Sequence, residues 1–179
     1  MLWRSKLNKY HWIMIVLTFV FTGYAIYSPL INYDNLPDRI PTHFNYRGET
    51  DTWSNKSVSV LLIGPLINLL IQLTMLPIIW WMIKVEDFRT LINGPCEKIQ
   101  KMSNEKVNEI QKFVVSHILF ITFLVAILIM AVSIGQVMVA SEKAASFGFS
   151  VPIVVTLIIG ESIYMALKAM RLMYKENIY

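Results

Sequence analysis

The chain has 179 residues, 55% of them apolar and 16% charged, with a formal charge of +4. The apolar residues do not recur at helix or strand period; they sit in four long blocks with the charges between them, which argues against a water-soluble domain and suits a chain solvated by lipid. The lone cysteine, Cys96, excludes an internal disulfide and a thiolate metal cluster, and the basic balance lacks the basic-aromatic pattern of a nucleic-acid module, so no nucleic-acid partner is expected.

The first block spans residues 12–31. Its basic flank (Arg4, Lys6, Lys9) is that of a signal peptide. No small-x-small cleavage site follows it, so the block is expected to be an uncleaved anchor. Residues 32–57 form a polar segment that carries Tyr33, Phe44, Tyr46 and Trp53, too many aromatics for a disordered loop. Pro37 and Pro41 stiffen its first half by fixing φ. Ile40–Phe44 and Thr50–Trp53 are expected to run extended, joined by a turn at Tyr46-Arg47-Gly48-Glu49 in which Gly48 can take positive φ. The segment is therefore a compact ordered cap built on a small hairpin.

The second block spans residues 58–83. A connection follows over 84–112, partly helical: Pro95 can open one helix, and Ser103 or Asn104 can cap another with Glu105 in its first turn. An apolar stripe of Val107, Ile110 and Val114 leads from there into the third block, 113–140, which exceeds the length a hydrocarbon core of ~30 Å requires. The fourth block spans 149–170 and contains Glu161. By rise per residue Glu161 lies ~18 Å below the outer edge, and Asn68 and Gln72 of the second block lie at ~15 and ~21 Å. A carboxylate at that depth needs a partner, so Glu161 is expected to meet Asn68 or Gln72 in an intramembrane polar cluster. His117 is expected at the membrane interface.

Lysine and arginine counts orient the spans. Arg4, Lys6 and Lys9, the six basic residues of 84–112, and Lys168, Arg171 and Lys175 lie on one side, against Arg39, Arg47, Lys56 and Lys143 on the other. Both termini and the 84–112 connection are therefore expected in the cytoplasm and the cap outside. Trp3, Tyr10, Trp12, Trp80 and Trp81 mark inner edges, and Tyr27 and Tyr33 an outer one, as aromatic belts do. The fold class expected is all-α transmembrane, a four-helix membrane bundle with a short ordered extracellular cap.

The run Leu36-Pro37-Asp38-x-Ile40-Pro41-x-His43-Phe44-Asn45-x-x-Gly48-Glu49-x-Asp51 resembles the signature of the domain of unknown function 1648, found in SdpI-like multi-pass proteins of bacteria. The resemblance implies a bacterial plasma-membrane location and a role in immunity to secreted peptide toxins, with signalling to a cytosolic regulator. SdpI-like proteins usually carry a second membrane unit with its own motif, and that motif is not found here.

Within the cap, Pro41, His43, Asn45, Gly48 and Asp51 are the candidates for ligand binding or for ordering the cap. His43 with Asp38 and Asp51 has the ligand chemistry of a divalent-metal site, and His43 with Asp51 that of an acid–base pair. No HExxH, GxSxG or phosphate-binding glycine loop occurs, so no cofactor and no catalytic residue is assigned. The leading expectation is a non-enzymatic sensor or immunity-type protein whose cap recognises a secreted peptide or envelope component and whose inner face meets a cytosolic regulator. The alternatives are a small transporter or transporter subunit using Glu161, and a metal-dependent membrane enzyme using His43 and Asp51. Beyond the lipid bilayer the sequence names no partner and no oligomeric state.

Overall fold

The computed structural model describes residues 7–174. Its elements are α1 (Lys9–Ile31), β1 (Arg39–Phe44), β2 (Thr50–Asn55), α2 (Val58–Lys84), α3 (Cys96–Gln100), α4 (Asn104–Ala140) and α5 (Ser150–Tyr174), with 3₁₀ turns at Tyr33–Asn35 and Phe88–Leu91. α1, α2, α4 and α5 are each long and apolar enough to cross a membrane. Trp3, Arg4, Lys6 and Lys175, which enter the charge and aromatic arguments, lie outside the described residues.

Local chemistry sets the helix ends. Asn8 caps α1 through a reciprocal box: its side chain accepts from the Tyr10 and His11 amides, and the His11 ring accepts from the Asn8 amide at 2.9 Å. Ser57 caps α2, and Ser103 caps α4 with Glu105 in the first turn. Pro29, Pro65 and Pro77 lie inside helices, which is tolerated in apolar spans because neighbouring groups re-satisfy the freed carbonyls.

α4 is the axis of the molecule. At ~1.5 Å per residue its 37 residues span ~55 Å, well beyond a hydrocarbon core of ~30 Å, because it begins at Ser103 rather than at the first apolar residue of its block. Three apolar clusters form along it. Phe88, Ile99 and Met102 of the 84–112 connection pack on Val107 and Ile110. Leu7, Ile79 and Ile83 pack on Val115 and Leu119. Leu36, Ile40 and Leu61 pack on Val137 and Ala140.

The helices do not close into a four-helix bundle. α1 and α2 pack on α4 and on each other, whereas α5 packs chiefly along α4 and has no buried residue. Its C-terminal end touches the 84–112 connection through Leu172 and Met173.

The hairpin lies against the other end of α4. β1 and β2 pair antiparallel, with Arg39 opposite Asn55 and Phe44 opposite Thr50. Ile40 is fully buried, and the Gln136 side-chain amide of α4 donates to the Pro41 carbonyl at 2.7 Å. The α4–α5 loop completes the seat. Its Phe147 ring stacks 3.7 Å from that of Phe44, and its amide donates to the Gly48 carbonyl at 3.0 Å. Two glycines make room for it: a Cβ on Gly48 would lie 3.3 Å from Phe147, and one on Gly135 only 2.2 Å from the Phe147 ring.

A methyl group at Gly135 therefore has to displace the Phe147 ring. In Gly135→Ala, amide exchange at Phe147 and Glu49 is expected to accelerate about tenfold or more, equivalent to roughly 1.4 kcal/mol. Exchange around Val115 and Leu119 should be unchanged. Hydrogen exchange read by mass spectrometry in detergent checks both regions at once.

Candidate recognition site on the hairpin

The signature residues of the cap divide into two groups by what they touch. Asn45 builds the turn. Its carbonyl oxygen accepts from the Arg47 and Glu49 amides at 2.8 and 3.1 Å, and its amide donates to the Glu49 carboxylate at 2.9 Å. Its main chain accepts from the Gly48 amide and donates to the Glu49 carbonyl, both at 2.9 Å. Gly48 closes that turn at φ +76°, a left-handed conformation open to glycine at little cost. Pro41 has no N–H for the ladder and sits where the register shifts, as proline in a sheet commonly does. These three residues shape and seat the hairpin.

His43 and Asp51 form the second group. Nδ1 of His43 lies 2.6 Å from Oδ1 of Asp51, with side chains 67% and 44% exposed. The bond to His43, with its charge and the Thr52 hydroxyl adding to it, holds the Asp51 carboxyl below the ordinary carboxylate range, against a smaller opposing effect of desolvation. With the Nδ1 hydrogen directed at the carboxylate, Nε2 has no partner among the described residues. The same hairpin carries Tyr46, 82% exposed, with the Arg47 guanidinium over its ring, and the half-exposed Trp53. An imidazole, a carboxylate, a guanidinium and two aromatic rings thus share one solvent-facing hairpin.

Asp38 does not join the pair. It precedes the first strand residue, and its carbonyl accepts from the Lys56 amide at 2.7 Å. Five residue steps of extended chain, ~3.3 Å each, separate it from His43. No three His, Cys, Asp or Glu side chains come together to hold a metal ion among the described residues. The three-residue set of Asp38, His43 and Asp51 is therefore not assembled.

The expected intramembrane cluster is also not one cluster. Asn68 and Gln72, both fully buried, each donate a side-chain amide to the Thr22 hydroxyl of α1, which itself donates to the Thr18 carbonyl. Glu161 pairs instead with His117 of α4. The Phe113 and Tyr164 rings lie 4.1 and 5.5 Å from the His117 ring. The faces differ, since α5 packs on α4 and α2 meets α1 and α4, and so do the depths: His117 lies between Val115 and Leu119, level with Ile79, about two helical turns along α2 from Gln72. Thr22 and His117 are the partners that depth counting missed. The i, i+4 pair Thr18 and Thr22, and a histidine five residues inside Lys112, were the available signals. A further polar contact, His11 Nε2 to Ser116 Oγ at 2.8 Å, joins α1 to α4.

Residues 13–69 match the family described as a domain of unknown function, DUF1648. The match takes in most of α1, the hairpin and the first part of α2, about a third of the chain. The seat of the hairpin on α4 and the α4–α5 loop lie outside it. No curated protein and no solved structure matches the chain.

Because the folded state depresses the Asp51 carboxyl, its contribution to hairpin order is complete above the ordinary aspartate value of 3.8 and is lost as pH falls through the lower folded value. Protection of the hairpin amides, taken relative to their intrinsic exchange rates, is expected to fall over that acid range in the wild type and to be flat there in Asp51→Asn, as followed by pH-dependent hydrogen exchange.

The Glu161–His117 pair makes a second expectation. Glu161→Leu strands the His117 ring in an apolar interface and should cost roughly 1–3 kcal/mol. Glu161→Gln should cost less, and Glu161→Leu with His117→Leu should recover most of the loss. Thermal unfolding of the purified protein in detergent ranks the three variants.

Proposed function

We propose that this is a non-enzymatic, multi-pass protein of a bacterial plasma membrane, with its termini in the cytoplasm. Its outer hairpin recognises a peptide or envelope component. One observation carries the reading: His43 and Asp51 stand solvent-exposed and paired at 2.6 Å on a hairpin whose other signature residues are consumed in folding it. A rigid element that presents an unspent imidazole–carboxylate pair beside exposed aromatic rings is suited to polar, directional recognition.

The path inward is α4. Its outer end holds the hairpin through Gln136, Val137 and Ala140, and its inner end holds the 84–112 connection through Val107 and Ile110. A single helix bearing both clusters passes a shift at the cap to the inner surface, where a cytosolic regulator would read it. The immunity role implied by the DUF1648 resemblance belongs to this reading.

A second reading, proton-linked transport, is favoured by the ionisable pair Glu161–His117 between two apolar helices, since such residues within spans commonly mark ion or proton pathways. The two readings separate by mutation. In a strain lacking the chromosomal copy, His43→Ala is expected to reproduce the deletion in survival of secreted peptide toxins and in transcript profile, at wild-type protein level, while Glu161→Gln complements. The reverse pattern rejects recognition by the hairpin and supports transport, and complementation by both variants rejects both.

A further inference from the structure

Beneath the hairpin, a groove of about 390 Å³ runs between α2 and α4, with Thr42 and Phe44 of β1 at its upper end. Its lower walls are apolar, from Ile63 and Gly64 on one side and Ile129 and Val132 on the other. Its polar groups belong to Thr42, Ser59, Ser133 and Gln136, all toward the hairpin end. Counting from the hairpin end of α4 at Ala140, Ser133 lies at ~10 Å and Ile129 at ~16 Å. The lining is thus polar near the surface and apolar below, within the depth of one leaflet.

Ser133 points to a ligand. It is 2% exposed, lines the groove and has no hydrogen-bond partner among the described residues. Thr122 and Ser141 of the same helix are satisfied by the carbonyl four residues earlier. A hydroxyl that lines the groove and has no protein partner is placed to donate to an acceptor arriving through it. The groove is open laterally. Ile63 is 62% exposed, and a Cβ on Gly64 would meet no atom within 4 Å.

We propose that this groove binds one acyl chain of a bilayer phospholipid, with the chain along Ile63 and Ile129 and its ester carbonyl accepting from the Ser133 hydroxyl. The occupant follows from the gradient: a carbonyl belongs at the depth of Ser133 and hydrocarbon below it, and the open side faces the medium that surrounds apolar spans. The proposal rests on the membrane location of the helices and not on the recognition role of His43 and Asp51. It makes the lipid part of the hairpin's floor, since Thr42 and Phe44 flank His43.

The test uses the full chain in nanodiscs of phosphatidylethanolamine and phosphatidylglycerol, doped with phosphatidylglycerol bearing a diazirine on one acyl chain. After photolysis, labelling at Ile63, Gly64, Ile129 and Val132 is expected at about ten times the yield on Ile153 and Leu157, which α5 exposes. Gly64→Leu puts a side chain into the groove from a position where a Cβ meets no atom within 4 Å, and should lower groove labelling to the α5 level. An ether-linked analogue should label the wild type less than the ester lipid does, and Ser133→Ala should erase that difference. Equal labelling of groove and α5, or labelling indifferent to Gly64→Leu, overturns the proposal. So does a crosslink joining two chains through the groove, which would assign it to a second copy. Absence of label on α5 as well would overturn the membrane reading beneath it.

Discussion

The fold depends on one aromatic contact, the seating of Phe147 between the hairpin and α4. The ring has Phe44 beside it and two glycines around it, one in the hairpin turn and one in the helix. A two-stranded hairpin is marginal by itself in water. Here Ile40 enters the cluster at the end of α4, Gln136 takes up the Pro41 carbonyl, and the α4–α5 loop bridges to the turn through Glu49 and Ser146. The cap is thereby coupled to a helix that reaches the opposite surface.

That coupling divides the labour among the signature residues. Asn45, Gly48 and Pro41 spend their hydrogen-bonding and conformational properties on a turn, a positive φ and a break in the ladder. His43 and Asp51 spend theirs on each other and keep their outer faces free. A pair on a flexible loop would lose ordering entropy each time it engaged a ligand. On a seated hairpin the ordering has already occurred in folding. The groove extends this arrangement, because the residues on either side of His43 line its upper end.

Inside the apolar helices, polar groups pair locally. Asn68 and Gln72 share Thr22, His11 finds Ser116, and Glu161 finds His117. Among apolar side chains an unpaired polar group is costly, and the nearest facing helix supplies a partner. Two of the three sets, His11–Ser116 and Glu161–His117, attach a helix to α4. The Glu161 pair is a side-chain polar contact between α5 and α4, and it acts on a helix with no buried residue.

Four apolar helices, the hairpin with its positive-φ glycine, and the capped start of α4 at Ser103 were all legible from the chain alone. Each is governed by residues near in sequence: a run of apolar side chains long enough for a bilayer, a turn whose chemistry is complete within five residues, a serine one residue before its helix. The pairing of His43 with Asp51 was legible for the same reason, since eight residues across a hairpin bring them face to face. The tertiary structure alone decided which helix neighbours which, and with it the partner of Glu161, the separation of Asp38 from His43, and the roles of Gly135, Gln136 and Phe147. Hydropathy marks roughly where an apolar span begins and ends but is blind to its offset along its neighbours, to rotation about the helix axis and to order around it. Those are set by side-chain packing between segments far apart in the chain.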